Sequence, residues 1–267
     1  MSTYAETRPR VRDPAVALWS IAAACWTTTI LLTVTGGEAL GHHDMVVEQS
    51  TLPWLARIAA YLFVWTVMVG AMMLPTTVPM ARLVAAVSAR APSPRRARIA
   101  LAVSYLAVWS GFGLAALIND IGVHAAVDRW PWLDGHSGLI LAATLGVAGA
   151  FQFSRLKDRC LTACRDPFSM LWRHYGRGAL QAWRLGIRHA LNCLGCCWAL
   201  MLLMFGMGVG SLAWMLLLTA VMVAEKTTRW GRRLSAPVGV GLLASGSVLA
   251  MASLHLGPFA SLLPGAT

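Results

Sequence analysis

The sequence predicts an all-α protein, a polytopic bundle of about seven transmembrane helices. Its 267 residues are 57% hydrophobic and only 12% charged, and the mean hydropathy of +0.62 excludes an ordinary soluble domain. The apolar residues fall into long runs bounded by arginine clusters, as in proteins that cross a bilayer several times. The first partner implied by this pattern is therefore the lipid bilayer.

Seven apolar segments define the predicted helices. The first follows three arginines and has about 20 residues, which is enough to span a membrane, so we expect a retained helix rather than a cleaved signal peptide. The fourth and sixth are short and reach membrane length only by extending into their flanks. The segments cover residues 15–35, 54–75, 99–118, 138–153, 187–207, 211–225 and 237–256. We expect one helical domain over 15–258, after a mobile cytoplasmic segment (1–14) and before a short tail (259–267).

The charges between these segments predict the topology. All but two of the 22 basic residues lie on alternate connections, and the exceptions are Arg57 and Arg129. Because basic loops stay on the cytoplasmic side, the N-terminus is predicted to be cytoplasmic and the C-terminus to face out. A net charge of +11 would suggest nucleic acid in a soluble chain. On these loops it indicates membrane orientation, and no nucleic-acid partner is expected.

Two local features leave their helices open to interpretation. The basic connection 155–188 could carry an amphipathic helix on the membrane surface, or the fifth segment could begin earlier, at about residue 178. Pro75 and Pro79 are expected to break the second helix near its inner end, because proline lacks an N–H and clashes with the preceding turn.

The fifth segment carries the strongest chemical signal. Cys193, Cys196 and Cys197 lie near its start, and helical spacing places Met201 on the same face as Cys193 and Cys197. His189, four residues before Cys193, could extend that face. A thiol-rich stripe of this kind in an apolar helix indicates a soft-metal site.

The predicted topology brings further sulfur ligands to the same inner half of the bundle. Cys160 and Cys164 follow the fourth segment, and Met72 and Met73 end the second, whereas Cys25 is predicted to stand alone. Thiolate and thioether ligands select soft ions, so copper(I) is the first candidate and zinc the second. Elsewhere, an outer His42/His43 pair could capture an ion before its delivery inward or could simply be solvated.

Glu225 is the acidic residue that needs an explanation. A charged group at the centre of a membrane helix costs about 2.5–3.5 kcal/mol on insertion scales. Glu225 could form an interfacial pair with Lys226, or it could support the metal and accept a proton. The candidate metal-site residues are Cys193, Cys196, Cys197, Cys160, Cys164, Met72, Met73, Met201 and Glu225.

Four motifs resemble an uncharacterised bacterial family described as predicted metal-binding integral membrane proteins. They read WTVMVGAMMLPTTVP, FQFSRLKDRCLTACRDP, NCLGCCWALMLLMFGMG and WMLLLTAVMVAEKTTRWG and occur within residues 60–235. The resemblance implies a multi-pass protein of the bacterial inner membrane with a bound metal. The positions that match the family motifs are Met72, Met73, Pro75, Lys157, Cys160, Cys164, Cys193, Gly195, Cys196, Cys197, Trp198, Met201, Glu225 and Lys226.

Three functions fit the sequence. The first is copper(I) handling, either transport or delivery to a partner metalloprotein, through the Cys/Met site. The second is a membrane enzyme or redox subunit that uses a Cys-bound metal or the vicinal pair Cys196–Cys197. The third is a structural subunit of a larger membrane complex. No nucleotide-binding loop, zinc-protease motif or nucleophile elbow appears, so the sequence leaves enzymatic activity open.

Overall fold

The computed structural model describes residues 13–35, 53–89, 93–136, 138–174, 176, 178–207 and 211–254. Over these ranges the chain is helical and contains no strand, so the predicted all-α class is confirmed. The helices are α1 (Pro14–Val34), α2 (Trp54–Ser88), α3 (Pro94–Arg129), α4 (Pro131–Asp134), α5 (Gly138–Phe151), α6 (Arg155–Arg165), α7 (Pro167–His174), α8 (Ala179–Met207), α9 (Leu212–Thr227) and α10 (Gly231–Ser253).

Five of the described helices are long and apolar enough to cross a membrane, namely α1, α2, α3, α8 and α10. A sixth span results if α5 and α6, which meet at a bend of 64°, are counted as one broken span. The short helices α5 and α9 have 14 and 16 residues and coincide with the fourth and sixth predicted segments. Seven spans therefore remain a prediction.

Helix α2 is continuous through both of its prolines, so the predicted break was wrong. Pro75 has no N–H to offer the carbonyl of Ala71, which would be left without a donor inside an apolar bundle. The indole Nε1 of Trp26 in α1 donates to that carbonyl at 3.0 Å. A neighbouring helix thus supplies the hydrogen bond that proline removes.

The sequence left two alternatives for the basic connection 155–188, an amphipathic helix or an earlier start of the fifth segment. The structure contains both. Helix α8 begins at Ala179, directly after Gly178, whose φ of +100° favours glycine. Before it, the short helix α7 buries Met170 and Leu171 and exposes Phe168 and Trp172. The early start of the fifth segment is therefore confirmed, and a separate amphipathic helix precedes it.

Close helix contacts hold the bundle together around α2, α3 and α8. The indole of Trp65 in α2 donates to the carbonyl of Trp109 in α3 at 2.9 Å, and the Tyr61 hydroxyl donates to that of Gly113 at 2.9 Å. A Cβ at Gly113 would lie only 2.5 Å from the Trp65 ring, so this position needs glycine. The buried cores of α2, α3, α8 and α9 form one cluster, and the cysteines of α8 lie in it.

Candidate metal centre

The three cysteines in the middle of α8 are the core of the candidate site. Cys193, Cys196 and Cys197 are only 1–2% exposed. The thiols of Cys196 and Cys197 donate to the carbonyl of Cys193 at 3.0 and 2.9 Å, because helical spacing sets them one turn further along. The three sulfurs therefore share one buried level of the bundle.

Helix α6 brings two more thiols to this level. The Sγ atoms of Cys164 and Cys196 are 4.0 Å apart. The Cys160 thiol packs against Gly195, where an added Cβ would lie 2.5 Å from its Sγ. The missing side chain at Gly195 thus lets α6 approach α8, and five thiols collect between the two helices.

Lys226 of α9 points into this thiol set. Its Nζ atom is 3.1 Å from the Sγ of Cys193, 3.9 Å from the Sγ of Cys197 and 3.6 Å from the Sδ of Met73. The hydroxyl of Tyr105 in α3 lies 3.2 Å from the Sγ of Cys193 on another side. Cys193 therefore has an ammonium and a phenol beside it, and the thiolate is the form of cysteine that binds metal.

Glu225 has different neighbours from those expected. Its carboxylate accepts hydrogen bonds from the Nζ atom of Lys157 at 2.7 and 2.9 Å and from the hydroxyl of Ser235 at 3.0 Å. Arg165 donates to its backbone carbonyl at 2.5 Å. A Glu–Lys pair does exist, but the partner is Lys157, so the suggested pair with Lys226 was wrong. The role of Glu225 beside a metal stays a prediction.

The predicted methionines lie at different distances from the thiol set, and Cys25 lies apart from it. Met73 contacts Lys226 and so borders the thiol set, whereas Met72 and Met201 are completely buried in the surrounding core cluster. Cys25 packs against Gly70 of α2, where a Cβ would lie 2.7 Å from its thiol. His42 and His43 lie outside the described residues.

Lys226 is a neighbour of the sulfurs that was not among the candidate metal-site residues. Consecutive helix residues point about 100° apart, so Glu225 and Lys226 cannot both face the same partner. The last family motif contains both residues, but the sequence suggested Lys226 only as an interfacial partner of Glu225.

The donor set fits a soft ion with few ligands. Among the described residues, no group of three or more His, Cys, Asp or Glu side chains is arranged to hold a metal ion. A structural zinc site needs four ligands in a tetrahedron. Copper(I) accepts two or three sulfur ligands, and thiolates and thioethers select it. The thiols of α6 and α8 are donors of the kind that a soft ion such as copper(I) prefers.

The fold and this site define a helical protein with several membrane-length helices and a buried thiol set. The family PpoB2, described as a copper chaperone, matches residues 62–249, which is more than half of the chain. The chain belongs to that family. The match includes all five thiols of the set and Lys226, and it confirms the metal-binding family that the four motifs indicated. Neither the curated proteins nor the solved structures gave a match.

Proposed function

We propose that this protein is an integral membrane protein that binds copper(I) as cargo and delivers it to a copper-dependent enzyme. The observation that carries this proposal is the gathering of thiols from α6 and α8 around Cys193, next to the ammonium of Lys226. The family description as a copper chaperone supports copper and favours delivery over transport.

The residues around Cys193 take different parts in binding. Cys193 is the first ligand, because Lys226 and Tyr105 supply a positive charge and a hydrogen-bonding group at its sulfur. Cys196 and Cys164 are the nearest further thiols, so either of them can supply the second ligand of a two-coordinate sulfur site. Cys197, Cys160, Met73, Met72 and Met201 surround these ligands as spare sulfur donors. Copper(I) then moves on by exchange from one sulfur to the next, with no change of oxidation state.

The proposed setting is the bacterial inner membrane, with the N-terminus in the cytoplasm and seven spans that include the short helices α5 and α9. The positive-inside rule supports this orientation, since the basic residues concentrate on alternate connections. The thiol set would then lie towards the cytoplasmic half of the membrane and receive copper(I) from the reducing side. The recipient would be a partner metalloprotein.

Elemental analysis of the purified protein tests this function. The protein is prepared in detergent under reducing, chelator-free conditions, loaded with copper(I) and freed of excess metal. We expect near-stoichiometric copper in the wild type, loss of it in Cys193→Ser, and full retention in the matched control Cys25→Ser, whose thiol packs against Gly70 instead. Retention of copper by Cys193→Ser, or a preference of the wild type for zinc, would contradict the proposal.

One distance favours a second candidate, a redox function. The sulfurs of Cys164 and Cys196 are 4.0 Å apart on different helices, so after a small shift they could form a disulfide by giving two electrons and two protons to a quinone or disulfide oxidant. The vicinal thiols of Cys196 and Cys197 are instead both bonded to the Cys193 carbonyl. A Cys164–Cys196 disulfide that forms and is reduced in a protein that binds no copper would support the redox reading over delivery.

A further inference from the structure

A cavity of about 890 Å³ opens between α1, α2 and α3. Its walls are mostly apolar, and they include Leu18 of α1, Met80 of α2 and Ala102 of α3. One lining residue comes from α8, His189, one helical turn before Cys193. The cavity therefore reaches from the outside of the bundle to the helix that carries the thiols.

His189 is an unusual residue to find in such a cavity. It is 5% exposed, and neither ring nitrogen has a hydrogen-bond partner among the described residues. Buried polar groups in native proteins are nearly always paired, so an unpaired imidazole that lines a cavity points to a ligand. Imidazole is a good ligand for copper.

A short path leads from His189 to the thiol set. The ring of His189 lies beside that of Tyr105, with their centroids 5.8 Å apart, and Tyr105 itself lines the cavity. The Tyr105 hydroxyl is 3.2 Å from the Sγ of Cys193. The inner end of the cavity is thus one residue away from the first proposed copper ligand.

The mouth of the cavity carries charge. Arg95 and Arg98 of α3 lie there together with Asp13, whose carboxylate already pairs with Arg82 at 2.8 Å. The Arg82 guanidinium lowers the pKa of Asp13 by hydrogen bonding to it. Because Arg82 balances the negative charge of Asp13, Arg95 and Arg98 leave the mouth with a net positive charge. That charge suits an anionic ligand.

We propose that this cavity is the entrance through which copper(I) reaches Cys193, and that His189 is the first protein group to take the ion from an anionic thiolate carrier. This inference rests on the proposed copper function. The carrier enters past Arg95 and Arg98, and the three thiols of α8, at most 2% exposed, need such a route.

The transfer is a pair of ligand exchanges. A copper–nitrogen bond to His189 forms as a bond to the carrier sulfur breaks, and the carrier thiolate leaves with its electron pair. A copper–sulfur bond to Cys193 then forms as the bond to His189 breaks, and the proton of the Cys193 thiol passes to the released carrier thiolate. Copper stays in the +1 state throughout, so no oxidant or reductant is required.

Loading kinetics test the entrance. Copper(I) is offered as its glutathione complex to the purified full chain, and the rate of transfer and the final copper content are both measured. We expect His189→Leu to slow loading by about tenfold, a barrier change of about 1.4 kcal/mol, with the same final content. Ala102→Trp, which fills the cavity, should also slow loading. The control is Ala107→Trp, on an exposed face of the same helix outside the cavity.

Wild-type loading rates in both His189→Leu and Ala102→Trp would overturn the proposal. A lower final copper content in His189→Leu would also overturn it, because His189 would then be a permanent ligand and not the entrance. If the wild type binds no copper at all, the proposed copper function is wrong, and the entrance needs a test of its own.

Alkylation of Cys193 with a small thiol reagent then measures whether the cavity gives access to this residue. Slower alkylation in Ala102→Trp than in Ala107→Trp supports the route, and equal rates exclude it.

Discussion

Glu225 and Lys226 show how two adjacent residues of one helix can do unrelated jobs. The Glu225 carboxylate is held by Lys157 of α6, while the Lys226 ammonium lies among the sulfurs of Cys193, Cys197 and Met73. Both side chains are charged inside an apolar bundle, and each has a partner that offsets the cost of its burial. The first pair joins α6 to α9, and the second completes the candidate metal centre.

Replacement of Lys226 tests its role at the sulfurs. Lys226→Met should weaken copper(I) binding by roughly 10–100-fold, because a hydrogen bond to a charged group contributes about 1.5–3 kcal/mol. The loss should be greater at about pH 6 than at about pH 8, because protons compete better for thiolates that lack a positive neighbour. Competition with a copper(I) chelator at the two pH values measures the copper(I) affinity of each protein. Lys226→Arg keeps the positive charge and should lose much less copper(I) affinity. Equal affinities of Lys226→Met and the wild type would contradict this role of Lys226.

The Lys157–Glu225 pair gives a stability prediction. The two side chains are 1% and 2% exposed, so either Lys157→Met or Glu225→Gln leaves one buried charge without its opposite charge. We expect each single change to lower the free energy of unfolding by about 3–5 kcal/mol, and the double change to Met and Leu to recover most of the loss.

Thermal unfolding in detergent, together with copper content, separates the two roles of Glu225. A double variant that is stable and still binds copper assigns Glu225 to structure alone. A double variant that is stable but has lost copper would instead support the predicted role of Glu225 beside the metal.

At the scale of the helices, α2 depends on α1 for the integrity of its backbone. Pro75 deprives the Ala71 carbonyl of its helical donor, and Trp26 replaces that donor from α1. This explains why proline in a long apolar helix leaves it unbroken: the freed carbonyl needs a donor, and a neighbouring helix can provide one.

A double-mutant cycle checks this explanation. Trp26→Phe should destabilise the protein by about 1–3 kcal/mol, because it leaves the Ala71 carbonyl buried and unpaired. In a Pro75→Ala background, where residue 75 regains its N–H, the same change should cost clearly less. Thermal unfolding of the four proteins measures the coupling, and Trp19→Phe, at a position 56% exposed, serves as the control. Additive effects would contradict the explanation.

The contact between α6 and α8 offers a second test at this scale. Gly195→Ala places a Cβ about 2.5 Å from the Cys160 thiol, so either the Cys160 side chain or helix α6 must shift. We expect overpacking to lower the free energy of unfolding by about 1–3 kcal/mol and to lower the affinity for copper(I). Gly111→Ala in α3, where nothing lies within 4 Å, should leave copper affinity unchanged and should raise the stability by about 0.5–1 kcal/mol, the ordinary helical preference for alanine over glycine. Copper affinity and melting temperature are measured for both variants. Wild-type values of both for Gly195→Ala would contradict this prediction.

At the scale of the whole molecule, the basic connections should all face one side of the membrane. In intact cells, a membrane-impermeant thiol reagent should label Gly135→Cys, near the turn after α4, and should label Ser93→Cys only after the cells are opened. The native thiols of the α8 set are buried, so they add little background. The reverse pattern would invert the predicted orientation.

Much of this fold follows from the sequence, because hydropathy and charge depend on the chain alone. Each of the seven predicted segments coincides with a helix, although α3 runs from Pro94 to Arg129, beyond the predicted 99–118. Hydropathy marks the part of a helix that suits lipid, and a helix continues past that part as long as its backbone bonds can form. Helix ends therefore lie outside what an apolar run predicts.

The site was harder to predict, since it depends on contacts between distant helices. Spacing along α8 places Cys193 and Cys197 on one face, but only the packing of α6 brings Cys164 within 4.0 Å of Cys196. The direction of Lys226 and the donor at Ala71 likewise depend on the partner helix. No periodicity within a single segment records such pairings.

The placement of α6 has a consequence for the release of the ion. This helix carries Cys160 and Cys164 on its inner side and exposes Leu156 and Asp158 on its outer side. Two of the five thiols therefore belong to a helix that is fastened by contacts of its own, the Lys157–Glu225 pair to α9 and the Asp158–Arg232 pair to α10, while the other three belong to α8. If copper(I) is the cargo, its release from sulfurs of both helices would require these two ion pairs to yield, although neither of them touches the ion.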